Sequence, residues 1–462
     1  MTAEYNGKYA QADGWKEQTG TVNRGLMDFV DRSPCAFWAV ANLKGELLQR
    51  GFRELKETER WQLLPGGKYF VSRNGSSLIS FVLPRGAVRS FHVMASHSDS
   101  PAFKIKPGPS LRSGSGLLRA SVERYGGPIE ATWFDRPLSV SGRVMLEDGG
   151  SLREELVCLE DLTLMIPSVA PHLLRSDQGK EMPAGAERLF PVIGCSDNGD
   201  LLLERIAENL CVRPEEILGA DLYLCNREKA VFWGASKEFI AAPRLDDLAC
   251  CFGSFLGFLE SASAENPQSA ECGAVPVHCV FDNEEVGSRS LQGADSSFLR
   301  DTVERICLCT GLSREAYHQA LAESFLVSAD NAHAVHPNEE QLSDAVNRPC
   351  LNKGLVVKFQ AAQRYATDGV SAAVFRRICG RHGIPVQTFT NRPGSSGGST
   401  LGSLSASQIP LRTVDVGLPQ LAMHSCYETI GAEDTAALAA FSAAFYREDL
   451  PEISGSGVNG NP

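Results

Sequence analysis

The sequence predicts an α/β fold: a mostly parallel central sheet flanked by helices, with a mainly β domain inserted into it. Three observations predict this. Short apolar runs recur at 91–94, 275–281, 325–328, 355–359, 386–389 and 411–416. Between several of them apolar residues fall three and four apart, the period of a helix with one buried face. From Lys104 to Trp233 the texture changes to short β-rich pieces broken by Gly and Pro, as in Pro107-Gly108-Pro109 and Asp148-Gly149-Gly150. Strands alternating with helices bury a largely parallel sheet.

The elements follow in order. Residues 1–19 are polar, with Glu4, Asp13, Lys16 and Glu17, and lack the basic start and apolar centre of a signal peptide. No apolar run approaches the roughly 18–20 residues of a membrane span, so a cytoplasmic location is expected. The strand at 91–94 leads to His97, and the chain then enters the insertion. On its return, Leu248, Phe252, Phe255, Leu256 and Leu259 mark one helical face, and Val370, Val374 and Ile378 another, with Arg377 and Arg381 in its last turn. Residues 436–446 are rich in strong helix formers and predict a closing helix. The expected organisation is 1–103 and 235–452 as two parts of a catalytic α/β domain, 104–234 as the insertion, and 453–462 as a flexible Gly/Ser/Asn tail. A length of 462 residues suits two to three domains at about 150 residues each.

The net charge of −12 argues against a nucleic acid or anionic membrane partner, both of which require basic patches. Fourteen cysteines stand singly or as Cys250-Cys251, with no Cys-x-x-Cys. That pattern argues against a structural Cys zinc site and suits small buried thiols in a reducing compartment.

In open α/β sheets, sites form at the carboxyl ends of strands. Here His97, Glu284-Glu285 and Asp330 each follow a strand-like run by a few residues. With Asp246 and His424 they supply two imidazoles and enough carboxylates for a pair of zinc ions and a general base. Two metals about 3.5–4 Å apart need a bridging ligand. Asp99, two residues beyond His97, is on the same side of an extended segment and within reach of the far imidazole nitrogen. Each motif alone has a plainer reading. His-x-Asp is frequent at strand ends, and an Asp at 246 or 247 can cap the helix that follows. Adjacent glutamates can face solvent, and a lone His beside Met423 can be core. His333 and His336 near Asp330 could be ligands, and the plainer reading is that one or both orient neighbours by hydrogen bonds. The Gly-rich stretch 394–402 lacks the Lys of a phosphate-binding Walker loop and predicts a tight turn.

Longer motifs give a resemblance. Ser96-His97-Ser98-Asp99-Ser100-Pro101, Tyr125-Gly126-Gly127, Thr132-Trp133-Phe134-Asp135-Arg136 and Ser141-Gly142-Arg143-Val144 are followed by Pro243-Arg244-Leu245-Asp246. Phe281-Asp282-Asn283-Glu284-Glu285-Val286-Gly287-Ser288, Ala332-His333-Ala334-Val335-His336-Pro337-Asn338, Gln363-Arg364-Tyr365-Ala366-Thr367-Asp368 and Gln420-Leu421-Ala422-Met423-His424-Ser425 complete the series. Over nearly its whole length the chain resembles the aspartyl aminopeptidase family, dinuclear zinc exopeptidases with an inserted dimerisation domain.

The resemblance implies two Zn2+ per subunit, with Co2+ or Mn2+ able to substitute. His97 and Asp330 would bind one ion, Glu285 and His424 the other, and Asp246 would bridge. Glu284 would be the general base for a metal-activated water, and Asp99 would support His97. His172 would be offered by the inserted domain to a neighbouring subunit's active site, and Lys358 would bind an acidic substrate side chain. The implied substrates are peptides with N-terminal Asp or Glu, and the implied assembly is a homo-oligomer, a dodecamer built of dimers. The chain departs from the family pattern at Pro393-Gly394, at Asp247 and at Pro128-Ile129-Glu130, which bears on the substrate pocket more than on the metals. A broad or neutral-residue aminopeptidase, a dinuclear amidase or deacylase, and a non-catalytic assembly protein on the same fold are the alternatives. Glu284 beside a ligand argues against the last.

Overall fold

The computed structural model describes residues 13–173, 186–195, 201–263, 273–395 and 397–451. The expected flexible tail lies outside the described residues. Nine strands form the central sheet in the order Arg53–Leu55, Lys68–Arg73, Ser77–Val82, Ala274–Phe281, Ser90–His97, Phe325–Ala329, Arg412–Gly417, Leu355–Phe359, Val386–Thr390. Its middle, from Ala274–Phe281 to Arg412–Gly417, is parallel throughout. Ser77–Val82 runs antiparallel to both neighbours, as does Leu355–Phe359 to Arg412–Gly417.

All six strand-like runs are strands. Ala274–Phe281 and Ser90–His97 are buried at every position, because helices cover both faces of a parallel sheet. Met94 packs into one core with helices Ala36–Gln49, Leu245–Ser261, Gly369–His382 and Asp434–Phe445. Its neighbours Val93 and Ala95 face the other core, with helix Phe298–Cys309. Successive side chains of a strand point to opposite faces, which gives the sheet its two cores. Gly257 lets Leu245–Ser261 lie directly on Asp434–Phe445, since a Cβ there would collide with the Ser442 side chain and the Ala443 backbone.

A second, six-stranded sheet orders Ser151–Cys158, Leu138–Asp148, Ile217–Asn226, Ala102–Arg112, Leu118–Tyr125 and Val192–Gly194, antiparallel at every junction. It has its own core, which includes Phe103, Val140, Leu164 and Leu224 and is joined by helix Leu201–Leu210 through Leu202 and Ile206.

A third sheet was not legible in the sequence. Val231–Trp233, Phe239–Ala242, Glu428–Gly431, Pro419–Leu421 and Ala332–His333 pair in that order. Strands of two to four residues show no usable alternation, so nothing in the pattern announces them. This small sheet gathers the chain just before Asp246, just after Asp330 and on both sides of His424. Among the described residues no helix is long and apolar enough to cross a membrane.

Candidate metal centre

Three strand ends and one loop converge at the carboxyl edge of the parallel strands. His97 closes Ser90–His97 and stands directly across from Phe281, the last residue of Ala274–Phe281. Asp330 follows Phe325–Ala329. Asp246 begins at the end of Phe239–Ala242, after Arg244 turns the chain at φ 58°. The Arg244 guanidinium anchors that turn by donating to the carbonyls of Ser33 (2.9 Å) and Val30 (3.2 Å).

His97, Asp246, Asp247 and Asp330 bring ligand-type atoms within 4.8 Å of one another, as do His97, Glu284 and Glu285, and Asp246, Glu285 and His424. The three groups overlap, so six of the predicted residues form one cluster. His97 Nε2 lies 3.7 Å from Asp246 Oδ1 and 3.9 Å from Asp330 Oδ1. His424 Nε2 lies 3.7 Å from Asp246 Oδ2 and 3.5 Å from Glu285 Oε2. Asp246 therefore turns one oxygen to each imidazole.

Both imidazoles are oriented from behind. His97 Nδ1 is 3.0 Å from the Asp99 carbonyl oxygen, and His424 Nδ1 is 3.1 Å from that of Gly127. A carbonyl accepts only from N–H, so each ring carries its proton on Nδ1 and leaves Nε2 free for a metal. The Asp99 carboxylate, expected beside His97, also stands at its Nδ1. The backbone carbonyl is the nearer partner, with Oδ1 at 3.3 Å. The Asp99 carboxylate also accepts the N–H groups of Glu284 and Glu285, both at 3.1 Å, and so fixes the adjacent acids.

Asp246 and Asp247 both have non-helical backbone angles, so they stand ahead of the regular part of the helix. The peptide between them is cis. Asp247 Oδ2 accepts the His97 backbone N–H at 3.1 Å. Glu428, which the sequence did not flag, accepts the N–H of Asp246 (3.0 Å) on one oxygen and of His424 (2.7 Å) on the other. Asn331 donates to the Leu245 carbonyl (2.9 Å), tying the Asp330 loop to the Asp246 loop.

The cluster is electrostatically frustrated without a cation. Burial first, then Asp330, raises the Asp246 carboxyl to about 6. Burial, with Asp330, Asp99 and Asp246, raises Glu284 to about 8. Burial and then Asp246 push Glu285 well above the usual carboxylate range. Burial disfavours a charged His97, yet the carboxylates around it, Asp247 foremost, hold its pKa well above the ordinary value. Asp246 Oδ1 and Asp247 Oδ1 are buried with no hydrogen-bond partner among the described residues. An Asp246 oxygen without a donor, turned to His97 Nε2, and its second oxygen turned to His424 Nε2 fit a site for divalent cations.

Of the other expected residues, Lys358 adjoins the cluster and His172 stands apart from it. Lys358 is buried, and its ammonium donates to the carbonyls of Asp330 (2.8 Å) and Asn331 (3.1 Å) and pairs with Asp330 Oδ2 at 3.3 Å. His172 is exposed on the short helical turn Pro171–Leu173 and belongs to none of the clustered groups. His333 and His336 are also outside them; the His333 ring faces Phe389 at 6.1 Å.

The sequence model of the family described as aminopeptidase I zinc metalloprotease (M18) matches residues 29–446. The chain belongs to the M18 family. It is a zinc metallo-aminopeptidase, an exopeptidase of the hydrolase class. A probable M18 family aminopeptidase 2 of Clostridium novyi is 41% identical over 418 residues, covering 88% of this chain and 94% of that protein. A chain in a cryo-EM structure of the Ape4 and Nbr1 complex superposes with a TM-score of 0.87 at 36% identity, over 94% of this chain and 87% of that one. The S. cerevisiae mApe1 dodecamer gives a TM-score of 0.80 at 27% identity, over 92% of this M18 chain and 96% of its own.

Proposed function

We propose that this M18 enzyme removes the N-terminal residue of peptides with a dinuclear zinc centre, favouring Asp and Glu. In this reading His97 and Asp330 hold one ion, Glu285 and His424 the other, and Asp246 bridges. The observation that carries it is the split of Asp246, with Oδ1 toward His97 and Oδ2 toward His424. A single-metal site would have no use for that arrangement. Zinc, when bound, supplies Lewis acidity that polarises the scissile carbonyl and acidifies water. Glu284, held by its N–H on Asp99, takes the proton of the attacking water and passes it to the leaving amine.

The remaining roles belong to the same proposal. His172, exposed on the segment from 104 to 234 and away from its own chain's cluster, reaches the site of a neighbouring subunit. The six-stranded sheet, with its own core, forms the dimerisation domain. The dodecameric S. cerevisiae relative supports an assembly of that kind. Acidic preference comes from the positive charge of Lys358 beside Asp330. A second reading, preference for neutral residues, is favoured by one observation: all three Lys358 donors already have partners within the chain.

Hydrolysis of aminoacyl chromogenic substrates carrying Asp, Glu, Leu, Ala and Lys decides between them, on zinc-loaded enzyme beside Glu284→Gln. Cleavage of Asp and Glu substrates, lost in Glu284→Gln with two zincs still bound, supports the proposal. Preference for Leu or Ala keeps the mechanism and discards the acidic pocket. Full activity in Glu284→Gln sinks the general-base role.

A further inference from the structure

Tyr125 is the last residue of strand Leu118–Tyr125, so it belongs to the six-stranded sheet and not to the catalytic core. Its hydroxyl nevertheless donates to Asp99 Oδ2 at 2.7 Å. That carboxylate is the one whose two oxygens accept the N–H groups of Glu284 and Glu285. The hydroxyl also accepts from Asn283 Nδ2 at 2.8 Å, and Asn283 Oδ1 is held in turn by Gln292 Nε2 at 2.8 Å. Asn283 is the residue immediately before the paired glutamates and sits in the left-handed region at φ 63°. One phenol thus bonds both the acceptor that fixes Glu284-Glu285 and the residue that aims them.

The next two residues reach the other side of the centre. Gly126, at φ 70°, lies so close to Glu285 that an added Cβ would stand 3.0 Å from its Cβ. The Gly127 carbonyl accepts from His424 Nδ1, and the Ile129 N–H donates to the His424 carbonyl at 2.9 Å. The segment therefore touches the paired glutamates through Tyr125 and His424 through its backbone.

We propose that Tyr125 is a positioning residue through which the six-stranded sheet sets the aim of Glu284 and the grip of Glu285 on metal, acting through Asp99. The proposal rests on the dinuclear reading with Glu284 as base. Groups behind a ligand commonly change metal affinity or activity by about 10–100-fold when removed. Asp99 is such a group, and the phenol donates to it. The phenol also ties the metal centre to the six-stranded sheet, since Tyr125 ends a strand of that sheet and Asp99 lies two residues beyond strand Ser90–His97 of the other.

The test is Tyr125→Phe in the full-length zinc-loaded enzyme. The ring, packed edge-on against Tyr223 at 5.3 Å, is kept and only the hydroxyl goes. The expected result is a kcat lower by about 10-fold or more with KM nearly unchanged, and zinc held about 10-fold less tightly in competition with a chromophoric chelator. The melting temperature of the metal-free protein should stay near the parent's. A parental kcat with parental zinc affinity overturns the proposal. So does a loss of activity matched by a general loss of metal-free stability. Asn283→Gly, which keeps the left-handed backbone accessible and removes the other partner of the hydroxyl, provides a second line. If the two act as one unit, the double variant is no worse than the worse of the two single variants, whereas additive losses overturn the proposal. Should Glu284→Gln prove active, the general-base reading falls on that result alone, and the zinc-affinity comparison still decides the role of Tyr125 in gripping metal.

Discussion

Glu428 Oε1 accepts the backbone N–H of His424 at 2.7 Å, four residues back along the chain, across a turn in which His424 itself adopts φ 67°. The other oxygen holds the N–H of Asp246. One buried carboxylate therefore sets the spacing between the proposed bridging ligand and a terminal ligand, although it faces no metal itself.

Replacing Glu428 by Gln leaves a single carbonyl to serve two N–H groups and turns an N–H2 toward the other. Zinc affinity should fall by about 10-fold or more. Stability should drop by about 1–3 kcal/mol, the cost of a buried donor left unpaired. Chelator competition and urea unfolding measure the two effects. A variant with parental zinc affinity would show that the turn is held by other contacts.

Lys358 offers a sharper test of specificity than activity alone. If its charge reads acidic substrates, Lys358→Met should lower kcat/KM for Asp by at least about 10-fold more than for Ala, a pairing worth over ~1.4 kcal/mol. Equal losses on both substrates would place its role in supporting Asp330, the residue its ammonium touches.

Zinc removal should make stability strongly pH-dependent. In the metal-free protein Asp246 lies near 6 and Glu284 near 8, both above their ordinary values. A raised folded pKa means that the folded state binds the proton more tightly than the unfolded chain. The stabilisation is thus complete below the unfolded values near ~4 and is lost as pH rises toward about 8. His97, also raised, acts in the same direction. Zinc displaces these protons, so its affinity grows over the same range. Melting temperatures with zinc and with EDTA, measured from pH 5 to 8, should diverge as pH rises. Curves that stay parallel would contradict the buried-acid account.

Gly257→Ala probes the helix contact far from the chemistry. Its methyl would meet Ser442 and the Ala443 backbone, a region with no room to yield. Overpacking of this kind costs about 1–3 kcal/mol. The melting temperature should fall while KM and zinc stoichiometry stay at parental values. An unchanged melting temperature would show that the two helices can move apart.

By itself the sequence determined the central sheet and the chemistry gathered at its edge. Its long central strands are buried at every position because helices cover both faces, and the apolar runs within them survive in one dimension. His97, Glu284, Glu285 and Asp330 follow those strands closely enough for the carboxyl-edge rule to find them. Only the tertiary structure decided what holds them. Glu428, Asn331, the Gly127 carbonyl and Tyr125 each make at least one hydrogen bond to a segment remote in the chain, and such bonds leave no period or spacing. Lys358 shows the converse. The family resemblance implies a substrate contact for it; burial beside Asp330 engages its donors within the chain, and only the fold reveals which partner a long, flexible cation has found.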